Sequence, residues 1–269
     1  MPRSGLVQPA SGPNPCPFGT FGIPPADSAS RAGGMPKASR DRSLGTFGKN
    51  NMTSRRVVIV GGCVLAFGAA FANTGLVIRT GTSVSHLTGD IAKLTMSLPR
   101  WSSVILPEIY RVVAAAVCFF IGATLAGLLI NHPVLDVSRP YGRTITGIGV
   151  LFLVSSFLAP HKPIVAIGLA AIGCGVQNGL ASHYRGVVLR TTHVTGMFTD
   201  FGITLGMRLR GHDVPRWKIA VPALLIGFFF IGGLAGALSN CAGYNAILVA
   251  GISYCLAGIG WSLTKHVFK

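Results

Sequence analysis

Residues 85–90 read SHLTGD and residues 192–197 read THVTGM, and each stretch opens a short apolar segment between two long ones. Further matching landmarks flank them: GAAFAN at 68–73 and GCGVQN at 173–178, then FFIGATLAG at 119–127 and FFIGGLAG at 229–236. Similar landmarks in the same order predict an internal repeat. Each repeat then consists of a long helix, a polar link, a short helix opening at Thr-Gly and another long helix, with one extra helix after each unit. This layout is common among transporters.

The composition is that of a membrane protein. Of the 269 residues, 11% are charged and 50% are hydrophobic, whereas soluble domains carry about 25% charged residues. A soluble globular enzyme and a disordered chain are therefore excluded, and an all-α polytopic membrane protein is indicated. The net charge of +16 comes from basic clusters between apolar runs, which are typical of cytoplasmic loops. We expect the lipid bilayer as the partner, and no nucleic acid.

Six apolar runs are long enough, or nearly so, to cross a bilayer, which needs about 20 residues. They are Val57–Ile78, Val112–Ile130, Thr144–Ala159, Ile164–Ala181, Ile219–Leu238 and Tyr244–Leu263. Two shorter segments are Leu87–Leu98 and Val194–Met207. If the short segments cross, there are eight spans and the repeats run parallel. If they enter and return, there are six spans and the second repeat is inverted.

The length of the first short segment favours six spans and two re-entrant half-helices. Asp90–Leu98 is nine residues before Pro99, about 14 Å of helix, which is half a bilayer. With basic residues inside, this arrangement predicts a multi-pass protein of the inner (plasma) membrane with both termini cytoplasmic. Repeat 1 is then about 57–130, a linking helix 144–159, repeat 2 about 164–238 and a final helix 244–263.

Residues 1–51 differ from the rest. They are rich in Pro, Gly, Ser and Arg without apolar periodicity, so we expect a disordered extension, either a targeting segment or a stretch that is not translated if synthesis starts at Met52. The helical membrane domain is 52–269.

The first apolar run resembles a secretory signal ending at Ala70-Phe71-Ala72, but its Asn73 matches Asn178 deep in the chain, so we expect a retained span.

The Thr-Gly pairs are the candidate functional feature. A half-helix that starts inside the membrane exposes unpaired backbone N–H groups with a partial positive charge. Thr88 and Thr195 are natural N-caps, and Gly89 and Gly196 permit close approach of a ligand or backbone. Two such ends facing each other would form a polar site at the midplane. Alternatively, Thr-Gly caps a short surface helix.

Polar side chains near these pairs complete the candidate substrate-binding set. Ionisable groups in membrane segments are costly and usually functional, so Asp90 and Asp200 could bind a cation or a proton, or Asp90 could stabilise its helix start or pair with Lys93. The histidines could relay protons or pack, and Asn73, Gln177 and Asn178 could instead form hydrogen bonds between helices. The full set is Asn73, His86, Thr88, Gly89, Asp90, Gln177, Asn178, Thr192, His193, Thr195, Gly196 and Asp200.

The stretches SHLTGDIAKL (85–94) and QNGLASHYRGVVLRTTHVTGMFTDFG (177–202) resemble the paired motifs of the YoaK-like family, uncharacterised bacterial inner-membrane proteins grouped under a domain of unknown function, number 1275. The resemblance covers about Val57 to Leu263. Members commonly carry Thr-Gly-Asn in the first motif, where this chain has Asp90. The resemblance implies the membrane fold and brings no established reaction.

We therefore expect a small-solute or ion transporter. The alternatives are a non-transporting scaffold or lipid-acting enzyme, and an enzyme that uses a buried pair of His86 with Asp90 or Asp200. The sequence has no phosphate-binding loop, HExxH or serine-elbow pattern, so we expect no catalytic residue, cofactor or metal. The pairs Gly122/Ala126, Gly175/Gly179 and Gly232/Gly236 predict close helix packing.

Overall fold

A computed structural model describes residues 50–100, 105–129, 141–180 and 191–267, and these residues contain helices and turns but no strand. The six long helices are α1 (Asn50–Thr80), α3 (Leu106–Leu129), α4 (Tyr141–Leu158), α5 (Pro163–Leu180), α7 (Arg216–Cys241) and α8 (Ala246–Val267). The two short ones are α2 (Leu87–Ser97) and α6 (Val194–Leu209).

All six predicted spans are long and apolar enough to cross a membrane, so the all-α, multi-pass prediction is confirmed. The run predicted to begin at Thr144 extends into its polar flank and begins at Tyr141. The predicted span ends at Ile130 and Ala181, and the prediction of disorder for the extension before Asn50, fall outside the described residues.

Small residues bring two pairs of long helices into close parallel contact. A β-carbon placed on Gly122 of α3 would clash with the carbonyl oxygen of Ile172 on α5, and one on Gly232 of α7 would clash with that of Phe67 on α1. Further along each pair in the same direction, Gly179 meets Ala126 and Gly236 meets Phe71. The predicted close packing is therefore confirmed, with α3 parallel to α5 and α1 parallel to α7.

Other long-helix contacts are antiparallel where close-packed residues define a direction. Three pairs of helices pack this way: α1 with α8 (Gly75 near Ala246, Gly68 near Tyr254), α4 with α8 (Gly142 near Ser262, Gly149 near Cys255, Gly251 near Leu153), and α4 with α5 (Gly173 near Phe152). Ser155 of α4 also donates a hydrogen bond to the carbonyl oxygen of Ala166 on α5 (2.8 Å).

These directions decide between six and eight spans. Relative to α1, helices α4 and α7 run the same way, and α3, α5 and α8 run the opposite way. The six long helices therefore alternate in direction along the chain, which leaves no crossing for α2 or α6. We call the side of the bundle where α1 begins the first face and the side where α1 ends the second face.

The end of α1 is where the first polar link begins. Gly81, at φ +74°, has the left-handed backbone conformation that glycine adopts without strain, and its N–H donates to the carbonyl oxygen of Val77 (2.8 Å). Arg111 of α3 donates to the carbonyl oxygen of Thr80 (3.2 Å), a favourable position for a cation at a helix C-terminus. The chain is thereby turned back towards the bundle.

Candidate functional site

The first link, residues 81–86, folds back along α1 and is held by Asn73. The side-chain oxygen of Asn73 accepts hydrogen bonds from the hydroxyl of Ser83 (2.9 Å) and the backbone N–H of Val84 (3.0 Å). Asp90 of α2 is 7% exposed, and its carboxylate accepts a hydrogen bond from the backbone N–H of Ser83 (2.8 Å). The Ser83 hydroxyl also accepts from the N–H of His86 (2.9 Å). The link is therefore fixed by one amide and one carboxylate.

The second link joins α5 to α6, and its described end, residues 191–193, is held by neighbouring amides on α5. The side-chain nitrogen of Asn178 donates to the hydroxyl of Thr192, and Thr191 donates to the Asn178 side-chain oxygen (3.4 Å). Gln177 is fully buried and donates both to Thr191 (3.2 Å) and to the carbonyl oxygen of Leu65 on α1 (2.8 Å). Neutral amides and hydroxyls thus hold this link.

Tyr254 connects the second link to the last helix. Its hydroxyl donates to the side-chain oxygen of Gln177 (2.8 Å), and its ring packs edge-to-face on Phe152 of α4, with the ring centroids 5.4 Å apart. Gln177 consequently has hydrogen-bond partners on α1, α8 and the link. Satisfying a buried amide in this way avoids the free-energy penalty of an unpaired polar group.

The first link and the described end of the second are both held well inside the bundle. The apolar part of α1 is Val58–Thr80. Asn73 lies seven residues before its end, and Leu65 seven residues after its start, each about 10 Å in from the nearer end at 1.5 Å per residue. From the depth of Asn73, α2 leads back to the second face, where α3 begins; from the depth of Leu65, α6 leads back to the first face, where α7 begins. Both short helices are re-entrant in this sense.

One side chain of α7 contacts the start of α2 and packs against the same apolar cluster as the start of α6. The ring of His86 packs edge-to-face on Phe229, with the ring centroids 5.3 Å apart. Phe229 and partly buried Val194 of α6 both pack against the apolar cluster that contains Met197. The start of α2 and the start of α6 are therefore connected through Phe229 and this cluster.

The prediction that Thr88 and Thr195 are the N-caps of the short helices is wrong. Helix α2 begins at Leu87 with His86 as its N-cap, and α6 begins at Val194 with His193 as its N-cap, neither with a side-chain capping bond. Thr88 and Thr195 are the second residues of their helices and are exposed. The hydrogen bonds described above position each link before its helix starts, so a threonine cap is not needed.

Several candidate residues lie outside the two hydrogen-bonded clusters. His193 and Asp200 are exposed, as is Gly89, which has open space where a β-carbon would stand. Gly196 does have a close neighbour, since the ring of His193 lies over it. Lys93 is exposed. Of the twelve candidates, the clusters contain Asn73, Asp90, Gln177, Asn178 and Thr192, with His86 joined through its backbone.

Three cluster members were not among the sequence candidates: Ser83, Thr191 and Tyr254. Ser83 and Thr191 belong to the polar links, which themselves are the sequence signal. Tyr254 is a single phenol within the apolar run of α8, and it could have been found as a polar side chain that needs a partner in a membrane helix.

An open hollow of about 510 Å³ lies at some distance along α2 from these clusters. It is lined by Lys93, Met96 and Ser97 of α2 together with Ile105 and Glu108 at the start of α3. The hollow brings one cation and one anion together beside apolar side chains.

In the part of the chain that the structure describes, no group of three His, Cys, Asp or Glu side chains could hold a metal ion.

The family described as "Protein of unknown function (DUF1275)" matches residues 61–260. The chain belongs to this family. The match covers all six candidate spans in whole or in large part, as well as both re-entrant segments. No curated protein and no solved structure matches the chain.

Proposed function

We propose that this membrane protein transports a small solute or an ion, and that its binding site lies where the two re-entrant links approach each other. One observation carries the proposal: the first polar link and the described end of the second are held inside the bundle, at Asn73 and, through Gln177, beside Leu65, each about 10 Å from the nearer end of the apolar part of α1. Non-helical backbone at membrane depth is tolerated where it is buried in protein or lines a cavity. Transporters place their sites at such breaks.

The pattern of helix contacts supports the predicted repeat, in its inverted form. In the predicted repeat, α1 to α4 correspond in order to α5 to α8. Each contact in one half should then have a counterpart after this exchange. Three contacts do: α1–α7 corresponds to α5–α3, α4–α5 to α8–α1, and α2–α3 to α6–α7. The shift of 105 residues from Asn73 to Asn178 also carries Phe67 to Ile172. These are the two residues whose carbonyls meet Gly232 and Gly122.

Asp90 supplies charge at the proposed site. It is buried, and its one described hydrogen bond is from a backbone N–H, so its negative charge is available to a cation, a proton or an ammonium group. Buried carboxylates at membrane depth commonly mark ion pathways. We infer that Asp90 binds the positively charged part of whatever is carried.

We also propose that the protein is not an enzyme. The enzyme alternative pairs His86 with Asp90 or Asp200 in a buried site. The ring of His86 instead packs on Phe229, the described hydrogen bond of Asp90 is with the backbone N–H of Ser83, and Asp200 is exposed.

For localisation, we propose the inner (plasma) membrane with both termini cytoplasmic. Antiparallel α1 and α8 place the start of α1 and the end of α8 on the first face. Basic residues with described side chains near that face are Arg56, Arg143, Arg208, Arg210, Arg216 and Lys218, and those nearer the second face are Arg79, Lys93, Arg111 and Lys162. An excess of basic residues favours the cytoplasm for the first face.

Flux into proteoliposomes tests the transport proposal. Vesicles containing the purified chain are compared with protein-free vesicles, using protons followed by an internal pH dye, sodium and potassium ions, and a labelled amino-acid mixture as separate probes. We expect at least one probe to move faster with protein, and Asp90→Asn to slow it about tenfold, the loss of one ion interaction of about 1.4 kcal/mol.

The matched control is Asp213→Asn, the same change at an exposed loop position between α6 and α7, which should leave the flux unchanged. Equal fluxes with and without protein for every probe would contradict the transport proposal. Equal flux in Asp90→Asn and the unmodified chain would remove Asp90 from the site.

A second candidate function is a lipid-binding scaffold or lipid-acting membrane protein. The open hollow between α2 and α3 favours it, because Lys93 and Glu108 could bind the phosphate and ammonium of a zwitterionic headgroup beside exposed Met96. Native mass spectrometry with phosphatidylethanolamine tests it. Retained lipid that is lost in the Lys93→Gln/Glu108→Gln double variant would support this candidate, and no retained lipid would count against it.

A further inference from the structure

His86 makes a contact that crosses between the two halves of the chain. It ends the first link, follows α1 and precedes α2, yet its half-buried ring packs edge-to-face on Phe229 of α7 at 5.3 Å between centroids, with the ring planes at 88°. Such aromatic pairs add stabilisation beyond the burial of their area.

The equivalent contact in the other half would join His193 to Phe119. His193 is the counterpart of His86 in the Thr-Gly motif, and Phe119 precedes Gly122 as Phe229 precedes Gly232. His193 is exposed, and its ring lies over Gly196 in the first turn of its own helix. Phe119 instead packs against the larger core cluster.

The apolar residues at the helix starts do correspond between the halves. Leu87 and Phe119 pack against one apolar cluster, and Val194 and Phe229 pack against the other. The difference is therefore specific to the histidine rings, and it is not a general loosening of the second half.

We propose that the protein switches between two states in which His86 and His193 pack alternately on a phenylalanine ring. In the described state, the ring of His86 packs on Phe229 and His193 is exposed. In the other state, His193 packs on Phe119 and His86 is exposed. A chain with inverted halves can exchange their conformations and form the same kinds of contact, so the two states have comparable free energies. This inference deepens the proposed transport function and rests on it, because exchanging the halves changes which face the site opens to.

Histidine accessibility tests the switch without any flux measurement. Diethyl pyrocarbonate modifies accessible imidazoles, and peptide mass spectrometry reports the modification rates of His86 and His193 separately in the detergent-solubilised full chain. Phe229→Leu removes the ring but keeps an apolar side chain. We expect His86 to be modified about three- to tenfold faster and His193 slower by a similar factor, as the loss of one aromatic pair shifts the population.

Two further variants make the result specific. Phe230→Leu changes a neighbouring ring that is 70% exposed, and should leave both rates unchanged. Phe119→Leu removes the partner needed in the other state, and should leave His86 protected and His193 accessible. Melting temperature and gel filtration identify any variant that fails to fold.

The reciprocal change is decisive. If Phe229→Leu speeds the modification of His86 and leaves His193 unchanged, the two contacts are independent and the switch is wrong. If the reciprocal change occurs but no probe crosses the proteoliposome membrane, the switch stands as a conformational property and the transport proposal fails.

Discussion

The two re-entrant links occupy corresponding places in the bundle but are held by different chemistry. The first is fixed by Asn73 and a buried carboxylate, Asp90, acting on backbone N–H groups. The second is fixed by Gln177 and Asn178 acting on threonine hydroxyls. Where the first helix carries Asp90, the second carries Met197, which is buried among apolar side chains. Holding a link inside the bundle therefore requires polar side chains in both halves. A buried charge at this position of the short helix occurs in the first half alone.

The largest expected effect concerns the packing that the halves share. A β-carbon on Gly122 or Gly232 would clash with a carbonyl oxygen of the neighbouring helix, so Gly122→Val and Gly232→Val should each destabilise the fold by about 3 kcal/mol. Melting temperature in detergent measures the loss.

Matched controls lie on the same helices, at Gly127 and Gly227, where nothing lies within 4 Å of the β-carbon position. Valine at these positions should be tolerated. Strong destabilisation by only one of the two variants at packed positions would show that the halves are packed differently.

The two asparagines that hold the links, Asn73 and Asn178, should contribute different amounts to the free energy of unfolding. Asn73→Leu leaves the buried N–H of Val84 and the hydroxyl of Ser83 without their partner, a loss of about 2 kcal/mol. Asn178→Leu should cost about 1 kcal/mol, because Asn178 is half-buried and Thr191 keeps its bond to Gln177. Chemical unfolding of both variants measures the difference, and the reverse order would overturn this account of the anchors.

Tyr254→Phe tests the contact that belongs to the second half. It leaves the side-chain oxygen of Gln177 without the hydroxyl donor at 2.8 Å, so we expect a loss of about 1 kcal/mol. Tyr244→Phe is the control, since Tyr244 is 65% exposed. Equal melting temperatures for the two variants would mean that this buried hydrogen bond adds nothing to the stability.

The smallest effect is expected at the threonines that do not cap their helices. Thr88→Val and Thr195→Val change exposed residues inside the first turn, and each should alter the stability by less than about 0.5 kcal/mol. A loss of about 1 kcal/mol or more, the usual weight of an N-cap, would restore the capping role.

The sequence predicted the helices well because long apolar runs leave few alternatives in a membrane. It also located both short apolar segments, which begin at Leu87 and Val194 as the helices do, although the predicted caps Thr88 and Thr195 placed each helix start two residues too late. The caps could not be predicted, since Thr88 becomes a cap only if the chain upstream is free, and Asn73 and Ser83 fix that chain through contacts distant in sequence. The same limit applies to Asp200, because the position of a residue along a short helix does not reveal whether its side chain is buried, and this one is exposed.

The pairing of α1 with α7 and of α3 with α5 has a consequence for biogenesis. Helix α1 finds its main neighbour, α7, only after Arg216 has been synthesised, so early intermediates must remain in the lipid without that neighbour. Neither half contains its own close-packed pair of parallel helices. Separately expressed halves should be degraded on their own and survive only when both are produced in the same cell.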